Sequence, residues 1–124
     1  MMCFYPFMAV KFEDLPPQVQ NQLKQMQQLQ QQLEMLVQQR LQLDVRLRET
    51  ENALEELNKL EDGSLIYKTI GNLIIKADRE TVLKELQEEK ESSELRKKTL
   101  EGQETKIKEK LEELQTKIQE ALRK

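Results

Sequence analysis

Histidine and tryptophan are absent from this 124-residue chain, and its one cysteine, Cys3, stands near the start. Without histidine, and with a single thiol, neither an intrachain disulfide framework nor a Cys/His zinc site can be built. General acid–base work would fall to Glu, Asp, Lys or Tyr, which occur here as helix-surface residues. The three glycines, Gly63, Gly71 and Gly102, are too scattered for a phosphate-cradling loop. Aromatics make up 4% of the chain, and Tyr67 alone lies beyond the first dozen residues, which is poor material for a compact core. No apolar run reaches the roughly 20 residues of a membrane span. The opening MMCFYPFMAVK lacks the basic start and cleavage pattern of a secretory signal. We therefore expect no catalysis, no metal, no cofactor and no membrane partner, and a cytoplasmic protein.

Nucleic acid is excluded on similar grounds. A net charge of −3 gives no drive toward a phosphate backbone. A basic zipper needs a basic helical stretch leading into its heptads, whereas residues 18–39 hold one Lys among many Gln.

What is present is helical periodicity in a chain that is 35% charged. Leu15 precedes a proline and is pushed toward extended backbone, so Pro17 suits the first position of a helix. From there Val19, Met26, Leu29, Leu33, Leu36, Leu43, Leu47, Leu54 and Leu57 recur at coiled-coil spacing, interrupted by Gln22, Arg40 and Thr50. A polar residue in such a seam costs stability and can specify alignment. A second series, Leu83, Leu86, Leu100, Ile107, Leu111, Leu114, Ile118 and Ala121, follows Asp78, a natural N-cap. Between Lys90 and Glu104 its core positions are mostly polar, and Gly102 adds about 1 kcal/mol of helix weakness relative to Ala.

Between the two series, EDGS (61–64) stops the first helix and IYKTIGNLIIK (66–76) reads as a β-hairpin turning at Gly71-Asn72. One face carries Ile66, Lys68, Ile70, Leu73 and Ile75, and the other Leu65, Tyr67, Thr69, Ile74 and Lys76. Neither face is cleanly polar, so both are expected to meet protein. An isolated hairpin is marginal in water, and this chain has no further strands to offer it. The expected fold is mostly α: a long antiparallel two-helix coiled coil with one β-hairpin at its closed end, each helix roughly 65 Å long at 1.5 Å per residue. The expected bounds are a flexible N-terminal extension over 1–14 and one coiled-coil/hairpin domain over 15–124, with helix 17–60, hairpin 65–76 and helix 79–123.

In LPPQVQ, in ALEELNKLEDGSLIYKTIGNLIIK and in KIKEKLEELQTKIQEAL the chain resembles the prefoldin β-subunit family, archaeal type, from Asp14 to Lys124. The middle string is the specific one, because helices rich in Glu, Leu and Gln match many coiled coils. The first dozen residues depart from the family pattern. The resemblance implies a hexamer of two α-type and four β-type subunits whose hairpins join into a β-barrel platform. It implies an ATP-independent holdase that captures unfolded polypeptides at its coiled-coil tips and delivers them to a group II chaperonin. Leu65, Ile66, Tyr67, Ile70, Leu73, Ile74 and Ile75 are then the oligomerisation residues. Val19, Met26, Leu114 and Ile118 on the seam, with Leu23 and Leu122 one step off it, are the client-binding candidates if the last turns splay. The alternative is a structural or tethering coiled coil in which the hairpin is only an oligomerisation clasp.

Overall fold

The computed structural model describes residues 11–123. Two long helices, α1 (Pro17–Lys59) and α2 (Arg79–Arg123), flank an antiparallel pair of strands, β1 (Ile66–Ile70) and β2 (Leu73–Ala77). The fold is thus mostly α, an antiparallel two-helix coiled coil with a single hairpin between its helices. The described residues divide into two compact units, one made of residues 38–101 and the other of residues 11–37 with 102–123.

Local chemistry places the helix ends. Leu15 is extended (φ −79°, ψ 151°), as the following proline requires, and the Gln20 amide donates to the Pro16 carbonyl at 3.0 Å to open the first helical turn. At the far end of α1 the Leu60 amide donates to Leu57 O at 3.2 Å, a tighter bond that closes the helix. Gly63 then takes φ +84°, a left-handed conformation that glycine adopts without a Cβ penalty. The Ser64 hydroxyl donates to the Glu61 carbonyl at 2.7 Å. Asp78 caps α2: its Oδ2 accepts from the Thr81 amide at 3.1 Å and from the Thr81 hydroxyl at 2.9 Å.

In the unit 38–101 the core is Leu47, Leu54, Leu57 and Leu100, with Thr50 and Ser93 buried among them. Thr50 is accommodated because its hydroxyl donates to the Arg46 carbonyl one turn back, at 2.9 Å. Ion pairs cross between the helices here. Lys97 Nζ lies 2.9 Å from Asp44 Oδ1, and Arg46 Nε lies 3.4 Å from Glu89 Oε1. Arg40, on a seam position of α1, reaches the other Asp44 oxygen at 3.4 Å. Lys97 is one of the polar seam residues of α2, and its charge is met by a carboxylate one step off the facing seam. In the other unit the core is Val19, Leu114 and Ile118, with Glu104 also buried.

The Lys97 hydrogen bond holds the Asp44 carboxyl below its usual 3.8; burial opposes this, and the charges of Lys97, Arg40 and Arg48 reinforce it. The same bond raises Lys97 above its usual 10.5. A lowered carboxyl stabilises the fold above its unfolded pKa and stops doing so as pH falls through the folded value. A raised ammonium stabilises below its unfolded pKa and stops as pH rises through the folded value.

Arg79 ties the root of the hairpin together. Its Nε donates to Leu57 O at 3.1 Å, the carbonyl that also closes α1, and its Nη1 lies 3.2 Å from Asp62 and 3.1 Å from Glu80. The side chain is only 14% exposed, whereas both carboxylates stand in solvent, so the carbonyl bond matters most. One side chain therefore joins the end of α1, the turn before β1 and the start of α2.

Arg79→Ala is expected to cost about 1–2 kcal/mol of stability, the value of a partly buried hydrogen bond from a charged donor, read in thermal unfolding. Asp44→Asn is expected to lower the melting midpoint slightly at neutral pH. It should also remove part of the loss of stability expected of wild type as pH falls below the usual Asp value of 3.8 and as pH climbs above the usual Lys value of 10.5. Melting curves across the full pH range check both limbs.

Candidate functional site

In the unit 38–101 exposed large apolar side chains gather on the hairpin, at Leu65, Tyr67, Ile70, Leu73, Ile74 and Ile75. Its turn has Gly71 at φ +58° and Asn72 at negative φ, the signs of a type II′ turn, in which glycine stands first. Strand register pairs Ile66 with Ala77, Tyr67 with Lys76, Lys68 with Ile75, Thr69 with Ile74 and Ile70 with Leu73. Alternation then puts Ile66, Lys68, Ile70, Leu73, Ile75 and Ala77 on one face, and Tyr67, Thr69, Ile74 and Lys76 on the other.

The two faces are not equivalent. On the first, Lys68 Nζ reaches Glu85 of α2 at 3.5 Å, and Ile66, Lys68 and Ala77 are half-buried. This face leans on its own helix at the root while Leu73, at the turn, stays 64% exposed. The second face is open: Ile74 is 74% exposed and Tyr67 58%. Leu65, Ile70 and Ile75 are exposed as well, so of the seven expected oligomerisation residues only Ile66 is partly covered. Among the described residues each strand pairs only with the other. Each therefore keeps one edge of backbone N–H and C=O groups with no strand partner, which is a template for pairing with another chain.

The six client-binding candidates lie in the other unit. Val19, at 1% exposed, is its tightest-packed side chain, and Leu114 and Ile118 are buried with it. Leu23 and Met26 are half-buried, and Leu122 is 47% exposed. Val19 and Gln22 line the same groove, of about 430 Å³, as Lys117 and Ala121, so the first turns of α1 lie against the last turns of α2. The structure thus gathers these candidates at one place but offers only Leu122 fully at the surface.

Ahead of α1, Phe12–Asp14 form a turn of 3-10 helix. The Gln20 side chain holds it by donating from Nε2 to the carbonyls of Phe12 at 3.0 Å, Glu13 at 3.3 Å and Leu15 at 3.0 Å. Lys24 Nζ sits 5.9 Å from the Phe12 ring centre, within cation–π range. Of the stretch expected to be a flexible extension, residues 11–14 are therefore tied down, and residues 1–10 lie outside the described residues. Sequence reading missed Gln20, Arg79 and the Lys68–Glu85 pair. Each acts on a residue between 5 and 22 positions away, and no local pattern marks it.

No group of three His, Cys, Asp or Glu among the described residues could hold a metal ion. No described helix is long and apolar enough to cross a membrane.

Comparison with known proteins adds an independent line. A family model described as prefoldin subunit matches residues 20–124. A prefoldin subunit beta from Archaeoglobus fulgidus is 51% identical over 109 residues, covering 88% of this chain and 94% of that protein. One from Thermococcus onnurineus is 49% identical over 111 residues, covering 90% and 96%. The crystal structure of the prefoldin beta subunit from Thermococcus strain KS-1 has the same fold, with a TM-score of 0.81 at 45% identity over 88% of this chain and 96% of that one.

Gln20→Ala is expected to leave helix content unchanged while speeding proteolytic cleavage near Phe12–Leu15 several-fold, because three carbonyls lose a shared donor. Limited proteolysis followed by mass spectrometry of the fragments checks this.

Proposed function

The chain belongs to the prefoldin family as a β-type subunit, and on that premise we propose that it is one arm of an ATP-independent holdase. Four copies join two α-type subunits; their hairpins close into a β-barrel platform from which the helix pairs project. The helix ends hold unfolded polypeptides and pass them to a group II chaperonin in the cytoplasm. The observation that carries this reading is the hairpin: two apolar faces and two free strand edges, more than its own helices cover. A monomer exposing such a patch is an interaction site or an aggregation hazard, and added strands from neighbours satisfy faces and edges together.

Leu65, Ile66, Tyr67, Ile70, Leu73, Ile74 and Ile75 are assigned to that assembly. Ile74 is the best single probe, because it is the most exposed of them and lies on the face its own helices leave open. Client capture is assigned to Val19, Leu23, Met26, Leu114, Ile118 and Leu122. Because Val19, Leu114 and Ile118 are buried, capture involves release of the last turns of the helix pair, with Leu122 and the flexible thioether of Met26 as first points of contact. No nucleotide is consumed: the affinity comes from apolar surface that client and chaperone both leave open.

Native mass spectrometry of the complex from source cells should show four copies of this chain with two of a second subunit. A bare homodimer would instead support a structural coiled coil with the hairpin as its clasp. Ile74→Asp should abolish the hexamer while leaving the helical circular dichroism of the chain intact. Deleting residues 115–124 should do the opposite, preserving the hexamer and weakening suppression of aggregation of an unfolded protein without ATP. Loss of the hexamer on that deletion would overturn the division of labour between hairpin and helix ends.

A further inference from the structure

Gln22 occupies a seam position of α1 one turn beyond Val19, where the heptad pattern calls for an apolar residue. Its Oε1 is enclosed and accepts no hydrogen bond. The nearby seam residues of the same unit, Val19, Leu114 and Ile118, are its buried apolar core. A buried carbonyl oxygen without a donor gives up its hydration and gains nothing in return. The penalty is relieved as soon as the helix ends part and water reaches the amide. The other α1 seam residues of this unit, Met26, Leu29, Leu33 and Leu36, are apolar and carry no such penalty. The closed state is therefore weakened at Gln22, beside the residues assigned to capture.

We propose that Gln22 sets the affinity for unfolded polypeptide by lowering the cost of opening the seam that buries Val19, Leu114 and Ile118. This rests on the assignment of client capture to the helix ends. Opening adds those three side chains to the already exposed Leu122, and the freed Gln22 carbonyl can then accept a backbone N–H from an extended client segment. Gln22 lines one groove with Lys117 and Ala121, where the first turns of α1 meet the last turns of α2. Gln22 is thus a positioning residue: it tunes the population of the open ends rather than supplying apolar contact.

The test is Gln22→Leu, with Gln22→Met as a second variant of similar volume, in the full chain and in its assembled complex. Amide hydrogen exchange over residues 17–26 and 112–123 reads the opening directly. Affinity for reduced, unfolded α-lactalbumin, by fluorescence anisotropy, reads capture. Both variants are expected to slow exchange in those turns about tenfold and to weaken binding by a similar factor, the scale of one unsatisfied buried acceptor. Exchange left at the wild-type rate would overturn the claim that Gln22 weakens the seam. Slowed exchange with unchanged or tighter binding would overturn the link between opening and capture. A complex lacking residues 115–124 serves as control. If it binds α-lactalbumin as well as wild type does, the assignment of capture to the helix ends fails, whatever the exchange rates of the Gln22 variants show.

Discussion

Each helix of this chain can bury a single stripe, and that limit governs the rest of the molecule. In α1 the stripe runs at alternating spacings of three and four from Val19 to Leu57, and in α2 from Leu83 to Ala121, with no stutter in either. Every one of those positions is buried or half-buried, and most of the remaining helix surface is exposed. A two-helix layer has no second layer. Once the seams are matched, neither helix has a second apolar stripe left to cover the strands that join them. The open hairpin is therefore a consequence of the architecture: among the described residues nothing covers Tyr67 and Ile74.

Polar residues in the seam show how the same constraint is met in three ways. Thr50 turns its hydroxyl back to the carbonyl of Arg46 and so needs no partner on the other helix. Lys97 takes a partner, Asp44, and this cross-helix bond aligns the two segments of its unit. Gln22 takes neither route, and its oxygen stays enclosed without a donor. The first two solutions hold the helices together. The third leaves a weak point, and it lies among the side chains that a client-binding reading requires.

The hairpin needs an orientation as well as an apolar surface, and Arg79 with Lys68 supplies it. Arg79 fastens the residues on either side of the hairpin to the last turn of α1. Lys68 pins one face toward Glu85 of α2. A hairpin swinging freely from two helix ends would lose much of its binding energy to ordering on assembly. These anchors are modest one by one, but they pre-set which face is open.

Much of this was legible in the residues themselves, because it is local. Heptad spacing, the Pro17 start, the Gly63 stop, the Asp78 cap and the Gly71-Asn72 turn each depend on side chains within a few positions of one another, so sequence alone determined two helices around one hairpin. The same reasoning named the apolar sets of hairpin and helix ends. Tertiary structure alone decided how each set is presented: that Tyr67 and Ile74 face outward while Ile66 is half-buried and Lys68 reaches Glu85 of α2, and that Val19, Leu114 and Ile118 are closed in while Leu122 is open. It also decided which polar groups find partners, since Arg79 meets Leu57 O from 22 residues away and Asp44 meets Lys97 from the other helix. Periodicity reports which stripe a helix will bury. The fate of a charge or amide placed in that stripe depends on what the other helix brings opposite it, and that is settled only when the two are side by side.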